Sequence, residues 1–250
     1  MSKSPKRIFF IILTVIIVAV IFIRRFFPPE GNTAFDVTVR KAGDSVSVTA
    51  GANDVFVKSS DVRYPELKSR NETVYLTDDM IYTYSFTAPS PMIITIPENT
   101  GIMEISGSGD IFLSQVRAGS IAAETAYGMI DADSLDAESV RLKTLNGQIS
   151  VSSSYAENLI LESDGGNVDV TGTRSKALTA KTISGDILAE IRSGDTVLES
   201  TDGTITVYTN TPLRLKHEGE LTADEAIISD EAERSLSVKT GNAVKILKGE

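Results

Sequence analysis

Residues 109–127 read GDIFLSQVRAGSIAAETAY, residues 128–146 read GMIDADSLDAESVRLKTLN, and residues 147–165 read GQISVSSSYAENLILESDG. Each segment has 19 residues and opens on a glycine, and the series continues at Gly166, Gly185 and, after 18 residues, Gly203. Two residues past the glycine stands Ile111, Ile130, Ile149, Val168, Ile187 or Ile205. Four past it stands Leu113, Ala132, Val151, Val170, Ala189 or Val207. Three before it stands Ser106, Thr125, Thr144, Ser163, Thr182 or Ser200. Five before it the column is Ala123, Leu142, Leu161, Ala180 and Leu198, with Glu104 breaking the first copy.

Self-similarity at a fixed period of roughly twenty residues marks a solenoid. The alternation has period two on both sides of the glycine, which predicts strand, turn, strand. A helical repeat needs a longer period and does not tolerate a glycine in every unit. The prediction is an all-β chain: a single-stranded β-helix, or β-solenoid, with coils of about 19 residues. The glycine is expected at a tight corner, where it accepts positive φ. The Ser/Thr column is expected to form a hydrogen-bonded ladder across neighbouring strands.

A further column tests this register. Four residues before the glycines stand Glu124, Lys143, Glu162, Lys181 and Glu199. If each repeat is one coil, these outward positions stack at about 4.8 Å, where like charges repel and opposite charges attract. The signs alternate along the column, which supports parallel stacking of coils.

The chain has 250 residues, no Cys, no Trp and one His. That excludes a disulfide framework and a Cys-based zinc site. The first 25 residues hold Lys3, Lys6, Arg7, Arg24 and Arg25 and no acid. Removing these five charges from the net −10 leaves −15 on the remainder. Such an acidic body argues against nucleic-acid binding, which draws its affinity from Lys and Arg at phosphates.

Residues 8–23 are apolar throughout except for Thr14. At 1.5 Å per residue the run is about 24 Å long, and snorkelling Arg24 and Arg25 with Phe26 and Phe27 extend it toward a full span. A cleavable signal would want small residues after the run, and Ile21-Phe22-Ile23-Arg24-Arg25 stands there instead. The expectation is one N-terminal transmembrane helix. Three basic residues before the span against two after it place the N-terminus in the cytoplasm and the body outside.

The expected domains follow. Residues 1–27 are a cytoplasmic stub and membrane anchor, and residues 28–34, with Pro28 and Pro29, are a linker. Residues 35–250 are the solenoid: irregular N-terminal coils and cap over 35–100, regular repeats over 101–210, irregular C-terminal coils and cap over 211–250. A solenoid needs atypical ends because a bare terminal coil is an open sheet edge. Asn53 and Asp54 before Val55 and Val57 suggest one degenerate unit in the first region. In the last, Leu236, Val238, Val244 and Ile246 suit a final pair of strands, and residues 223–234 suit either a strand region or a short helical cap. Asn71-Glu72-Thr73 matches a glycosylation sequon, a motif frequent by chance.

The phrases Ile93-Ile94-Thr95-Ile96-Pro97, Ser106-Gly107-Ser108-Gly109-Asp110-Ile111 and Thr182-Ile183-Ser184-Gly185-Asp186-Ile187 resemble those of the bacterial DUF4097 family, whose members carry iterated Ser-Gly-Asp-Ile units and are named as adhesins. The resemblance covers roughly residues 35–250. It implies a single-stranded β-helix, often tethered by one transmembrane helix, and brings no catalytic residues. Tyr127-Gly128-Met129-Ile130 and Asn146-Gly147-Gln148-Ile149 lack the Asp, which speaks against a ligand role for it in those coils.

Candidate chemistry is sparse. Asp131 and Asp169 fall in one outward column two coils apart, about 9.6 Å, near the carboxylate spacing of inverting glycosidases. Against this, Ser150 lies between them and no aromatic sugar platform is evident. His217 stands without a Gly-x-Ser-x-Gly elbow. Gly165-Gly166-Asn167-Val168-Asp169 occurs once, whereas calcium-binding β-helix repeats recur every nine residues or so. No catalytic, cofactor or metal residue is assigned. The expected function is that of a non-catalytic, adhesin-like structural or interaction protein of the cell envelope. It would hold the lipid bilayer through residues 8–23 and an envelope protein or cell-wall polymer through the solenoid. The alternatives are a carbohydrate-active β-helix enzyme and a bactofilin-like self-assembling scaffold.

Overall fold

A computed structural model of the chain describes residues 36–69, 72–86, 88–192, 194–223 and 227–249. The expected membrane helix at 8–23, the linker at 28–34 and Asn71 of the sequon lie outside the described residues. Among the described residues no helix is long and apolar enough to cross a membrane. Residues Ala34–Glu250 form one compact unit.

The regular coils each consist of a long strand, the glycine turn and a short strand. They are β8 Thr100–Gly107 with β9 Ile111–Ser114, β10 Arg117–Thr125 with β11 Ile130–Asp133, and β12 Asp136–Thr144 with β13 Ile149–Ser152. Next come β14 Tyr155–Ser163 with β15 Val168–Thr171, β16 Arg174–Thr182 with β17 Ile187–Ile191, and β18 Asp195–Ser200 with β19 Ile205–Thr209. Every long strand pairs in parallel with the next long strand, and every short strand with the next short one.

The register brings Ile111, Ile130, Ile149, Val168, Ile187 and Ile205 into one row, each at most 1% exposed. Leu113, Ala132, Val151, Val170, Ala189 and Val207 form a second buried row. On the long strands Ile121, Val140, Leu159, Leu178 and Leu236 form a third, with Thr196 among them. Each fully buried Ile or Leu is worth about 1.5–3 kcal/mol, so these rows drive the stacking.

Three corners shape the coil. One is the glycine turn. A second carries the positive φ: Gln115, Ser134, Ser153 and Gly172, at 55°, 58°, 50° and 59°. The third is a bend inside the long strand, where outward Glu138 and Ser139 are consecutive between buried Ala137 and Val140. The glycine column is therefore not used for positive φ, contrary to the expectation. A Cβ on Gly128, Gly147, Gly166, Gly185 or Gly203 would lie 1.8–2.1 Å from the carbonyl oxygen of the glycine one coil earlier. Glycine is required there by close approach of successive turns.

Glu104 also has an explanation. Ile105, not Glu104, pairs with Ala123, and Gly107 pairs with Thr125. The first regular coil is one residue short ahead of its turn, and Ser106 drops out of the Ser/Thr column. The 18-residue spacing before Gly203 is taken up between the short strand β17 and the long strand β18. Val170 pairs with Ala189 at an offset of 19, but Ala177 pairs with Asp195 at 18.

At the N-terminal end, β1 Asp36–Ala42 runs antiparallel to β2 Ser45–Thr49, which joins β8. β3 Val55–Ser60 joins β9, so β2 and β3 make one coil with Asn53 in the glycine position; a Cβ on Gly109 would meet its carbonyl oxygen at 2.5 Å. The chain then covers this end. β4 Glu66–Lys68 pairs antiparallel with β5 Thr73–Tyr75 and with β7 Met92–Pro97, β6 Ile81–Ser85 pairs antiparallel with β1, and β7 runs parallel to β3.

The C-terminal end is out of sequence order. β20 Arg214–Ala223 is followed by β21 Ser235–Lys248, yet β21 pairs with β18 and β19, and β20 lies outside it. One continuous strand thus supplies both sides of the last inner coil, burying Leu236, Val238, Val244 and Ile246. β20 is the outermost strand. It is largely exposed, bears Arg214, Lys216, Glu218 and Glu220, and is broken by a register shift at Gly219, whose φ is 121°. Charges and a bulge protect such an edge from pairing with another chain.

Candidate interaction surface

The repeated polar residues are engaged inside the coil stack. The hydroxyls of Thr125, Thr144, Ser163, Thr182, Ser200 and Thr240 donate to the carbonyls of Gly109, Gly128, Gly147, Gly166, Gly185 and Gly203 at 2.6–3.0 Å. Five of these hydroxyls also accept from the glycine N–H three residues on in their own turn: Gly128, Gly147, Gly166, Gly185 and Gly203, at 2.9–3.3 Å. The expected ladder exists, but the hydroxyls meet glycine backbone rather than each other. The Asp of Ser-Gly-Asp-Ile has a similar task. Asp54, Asp110 and Asp186 accept from the N–H of Asp110, Met129 and Thr204 one coil later, and Asn167 does the same for Asp186.

The long-strand face carries the charge column. Glu124 pairs with Lys143 at 3.5 Å and Lys181 with Glu199 at 2.7 Å, while Glu162 takes Arg141 at 2.8 Å. The inserted β21 extends the alternation, since Glu199 stacks on Lys239 and Lys239 on Glu218, the latter pair 3.0 Å apart. Exposed pairs contribute little individually, so the column reports register more than stability.

On the short-strand face Asp131, Ser150 and Asp169 do share one column. Burial pushes the Asp169 carboxyl up, and its Oδ1 is buried without a hydrogen-bond partner. Phe112 is the register neighbour of Asp131, and its ring stacks on Phe56 at 4.5 Å and 6°. Aromatic side chains therefore do adjoin Asp131, and the 19-residue spacing from Phe112 to Asp131 carried the signal. The stack covers one face of each ring. Asn167 serves the next coil, and His217 stands exposed on β20 opposite Val238. Among the described residues no group of three or more His, Asp and Glu is placed to hold a metal ion.

The glycine turns present a different surface. Tyr127 is 73% exposed, Ile183 51%, Leu145 39% and Met129 37%. All four sit within two residues of a repeat glycine, where polar residues suit a turn. The signal was open to reading: four large apolar residues occupy positions that the other coils fill with polar or small residues (Ser, Asn, Asp, Gln, Thr, Gly or Ala).

No curated protein matches this chain. It is similar in structure to a crystal structure from Bacteroides fragilis described as a "putative adhesin", with a TM-score of 0.51 and 16% identity over 87% of this chain and 98% of that one. At that identity the likeness speaks for the fold. The model of the Toastrack DUF4097 family matches residues 31–243, and the chain belongs to that family.

Proposed function

We propose that this chain is a non-catalytic interaction protein of the cell envelope. Residues 8–23 moor it in the cytoplasmic membrane, the N-terminus is cytoplasmic, and the solenoid stands outside, where it holds an envelope protein or cell-wall polymer. One observation carries the reading. The repeated hydroxyls and carboxylates serve the stacking of coils, while large apolar side chains stand exposed on the turns. Chemistry repeated in every coil is what a scaffold needs, and scattered exposed anchors are what a binding surface needs. The adhesin description of the Bacteroides fragilis protein agrees with it.

A carbohydrate-active enzyme is the second reading, favoured by the raised Asp169 carboxyl in line with Asp131. Such a pair suits a general acid and its partner. Ser150, which stands between the two carboxylates in the column, weighs against it. End-to-end assembly is disfavoured by the charged, bulged β20 edge.

The test has two parts. Protease added to intact spheroplasts should degrade the solenoid, and alkaline carbonate should leave the full chain in the membrane pellet. Protection from protease, or release by carbonate, would overturn the location. Release of sugars from cell-wall material that Asp131→Asn abolishes would replace the interaction reading with the enzymatic one.

A further inference from the structure

The exposed apolar side chains on the turns have a definite arrangement. Two residues before each glycine, the column runs Ala126, Leu145, Asp164, Ile183 and Thr201. Leu145 and Ile183 therefore stand two coils apart, about 9.6 Å, with Asp164 between them. The backbone ties this column together: Gly165 N–H donates to the Leu145 carbonyl at 2.8 Å and Ile183 N–H to the Asp164 carbonyl at 3.2 Å. Asp164 is exposed and makes no side-chain ion pair among the described residues. Its neighbour Gly165 has no side chain and packs against Asn146, whose Oδ1 would lie 3.2 Å from an added Cβ. Tyr127 and Met129 continue the apolar strip toward the N-terminal coils.

Charge identifies what would cover this strip. The turn residues 107–110, 126–129, 145–148, 164–167, 183–186 and 201–204 include Asp110, Asp164, Asp186 and Asp202 and no Lys or Arg. The bases one column away are engaged, Lys143 by Glu124, Lys181 by Glu199 and Arg141 by Glu162. An anionic polymer or lipid surface would be repelled. A second copy of the same edge would bring like charges together. A Lys or Arg side chain fits, because its methylene stem can lie against Leu145 and Ile183 while its cation meets Asp164.

We propose that the glycine-turn edge is a docking surface for a protein segment that presents a Lys or Arg between apolar side chains, with the cation on Asp164 and the aliphatic contacts on Leu145 and Ile183. This rests on the interaction reading and names the class of partner.

Calorimetric titration of the full chain tests it, with three synthetic peptides as probes: Leu-Lys-Leu-Lys-Leu, Leu-Glu-Leu-Glu-Leu and tetralysine. The Lys/Leu peptide should bind best and the Glu/Leu peptide not at all. Leu145→Ser with Ile183→Ser, and separately Asp164→Asn, should each weaken the first peptide about tenfold, the scale of one lost anchor. Asp164→Asn should also flatten its salt dependence. Phe112→Ser, on another face, should change nothing. Equal binding of tetralysine, unchanged binding in the variants, or self-association that the Leu145 and Ile183 changes abolish would each overturn the proposal. Photo-crosslinkers at positions 127 and 112 in cells separate the two levels. Adducts at 112 alone overturn this surface and leave the interaction reading standing, whereas adducts at neither sink both.

Discussion

Replacing Gly147 by Ala should damage the solenoid more than its chemistry suggests. The added Cβ would lie 1.8 Å from the Gly128 carbonyl oxygen, where contacts under 3.0 Å do not occur, so the two turns must part by about 1.2 Å. Retreat is blocked, because Gly166 packs equally closely on the Gly147 carbonyl, at 1.9 Å for its own absent Cβ. Parting the turns stretches the bonds from Thr144 Oγ1 to the Gly128 carbonyl (3.0 Å), from Leu145 N–H to the Thr125 carbonyl (3.3 Å) and from Ile130 N–H to the Gln148 carbonyl (2.9 Å). At about 1 kcal/mol for each bond, plus disturbance of the Ile130–Ile149 row, the cost is about 3–5 kcal/mol. Gly172→Ala is the control. That glycine has φ 59° and nothing nearer than 3.6 Å to an added Cβ, so only the backbone penalty of about 1–2 kcal/mol remains. Urea unfolding followed by far-ultraviolet circular dichroism gives both values. If Gly147→Ala unfolds within about 1 kcal/mol of the parent, or no more easily than Gly172→Ala, close approach is not the reason for the glycine column.

Thr144→Val removes the hydroxyl that accepts from Gly147 N–H and donates to the Gly128 carbonyl, and should cost about 2–3 kcal/mol in the same assay, while Thr144→Ser stays within about 1 kcal/mol. Thr196 stands in an apolar row with its Oγ1 buried and unpartnered, so Thr196→Val should stabilise by about 1 kcal/mol, seen as a higher melting temperature. Burial raises the Asp169 carboxyl above its unfolded value of 3.8, so its contribution to stability is present below that value and lost as pH rises through the folded value. Asp169→Ser, the residue type at position 150 one coil earlier, should therefore raise the melting temperature at neutral pH, and the gain should vanish on acidification below 3.8.

Much of the fold was legible in the sequence because the repeat is a local code. Alternating apolar residues set which side of each strand is buried, and a spacing of 19 residues sets which residues stack. That is why Ile111 to Ile205 form one row and why Glu124 to Glu199 alternate in sign along one column. Even Glu104, the misfit, marked a real one-residue deletion. The apolar turn residues Tyr127, Met129, Leu145 and Ile183 were equally visible, but an exposed surface has no periodic demand to make them stand out.

Three things the tertiary structure alone decided. The distance between turns makes glycine obligatory by contact with the next coil, a fact that no single turn contains. The stack gives each hydroxyl its second partner one coil away, so the ladder runs through backbone rather than between side chains. The order of the last strands depends on competition for one site. Leu236, Val238, Thr240, Val244 and Ile246 of β21 match the inward pattern of the repeat, whereas β20 offers Leu215, His217, Leu221 and Ala223 in the same register. The strand that buries more apolar surface takes the inner place, although it comes later in the chain, because the hydrophobic effect ranks segments by what they bury and not by their order.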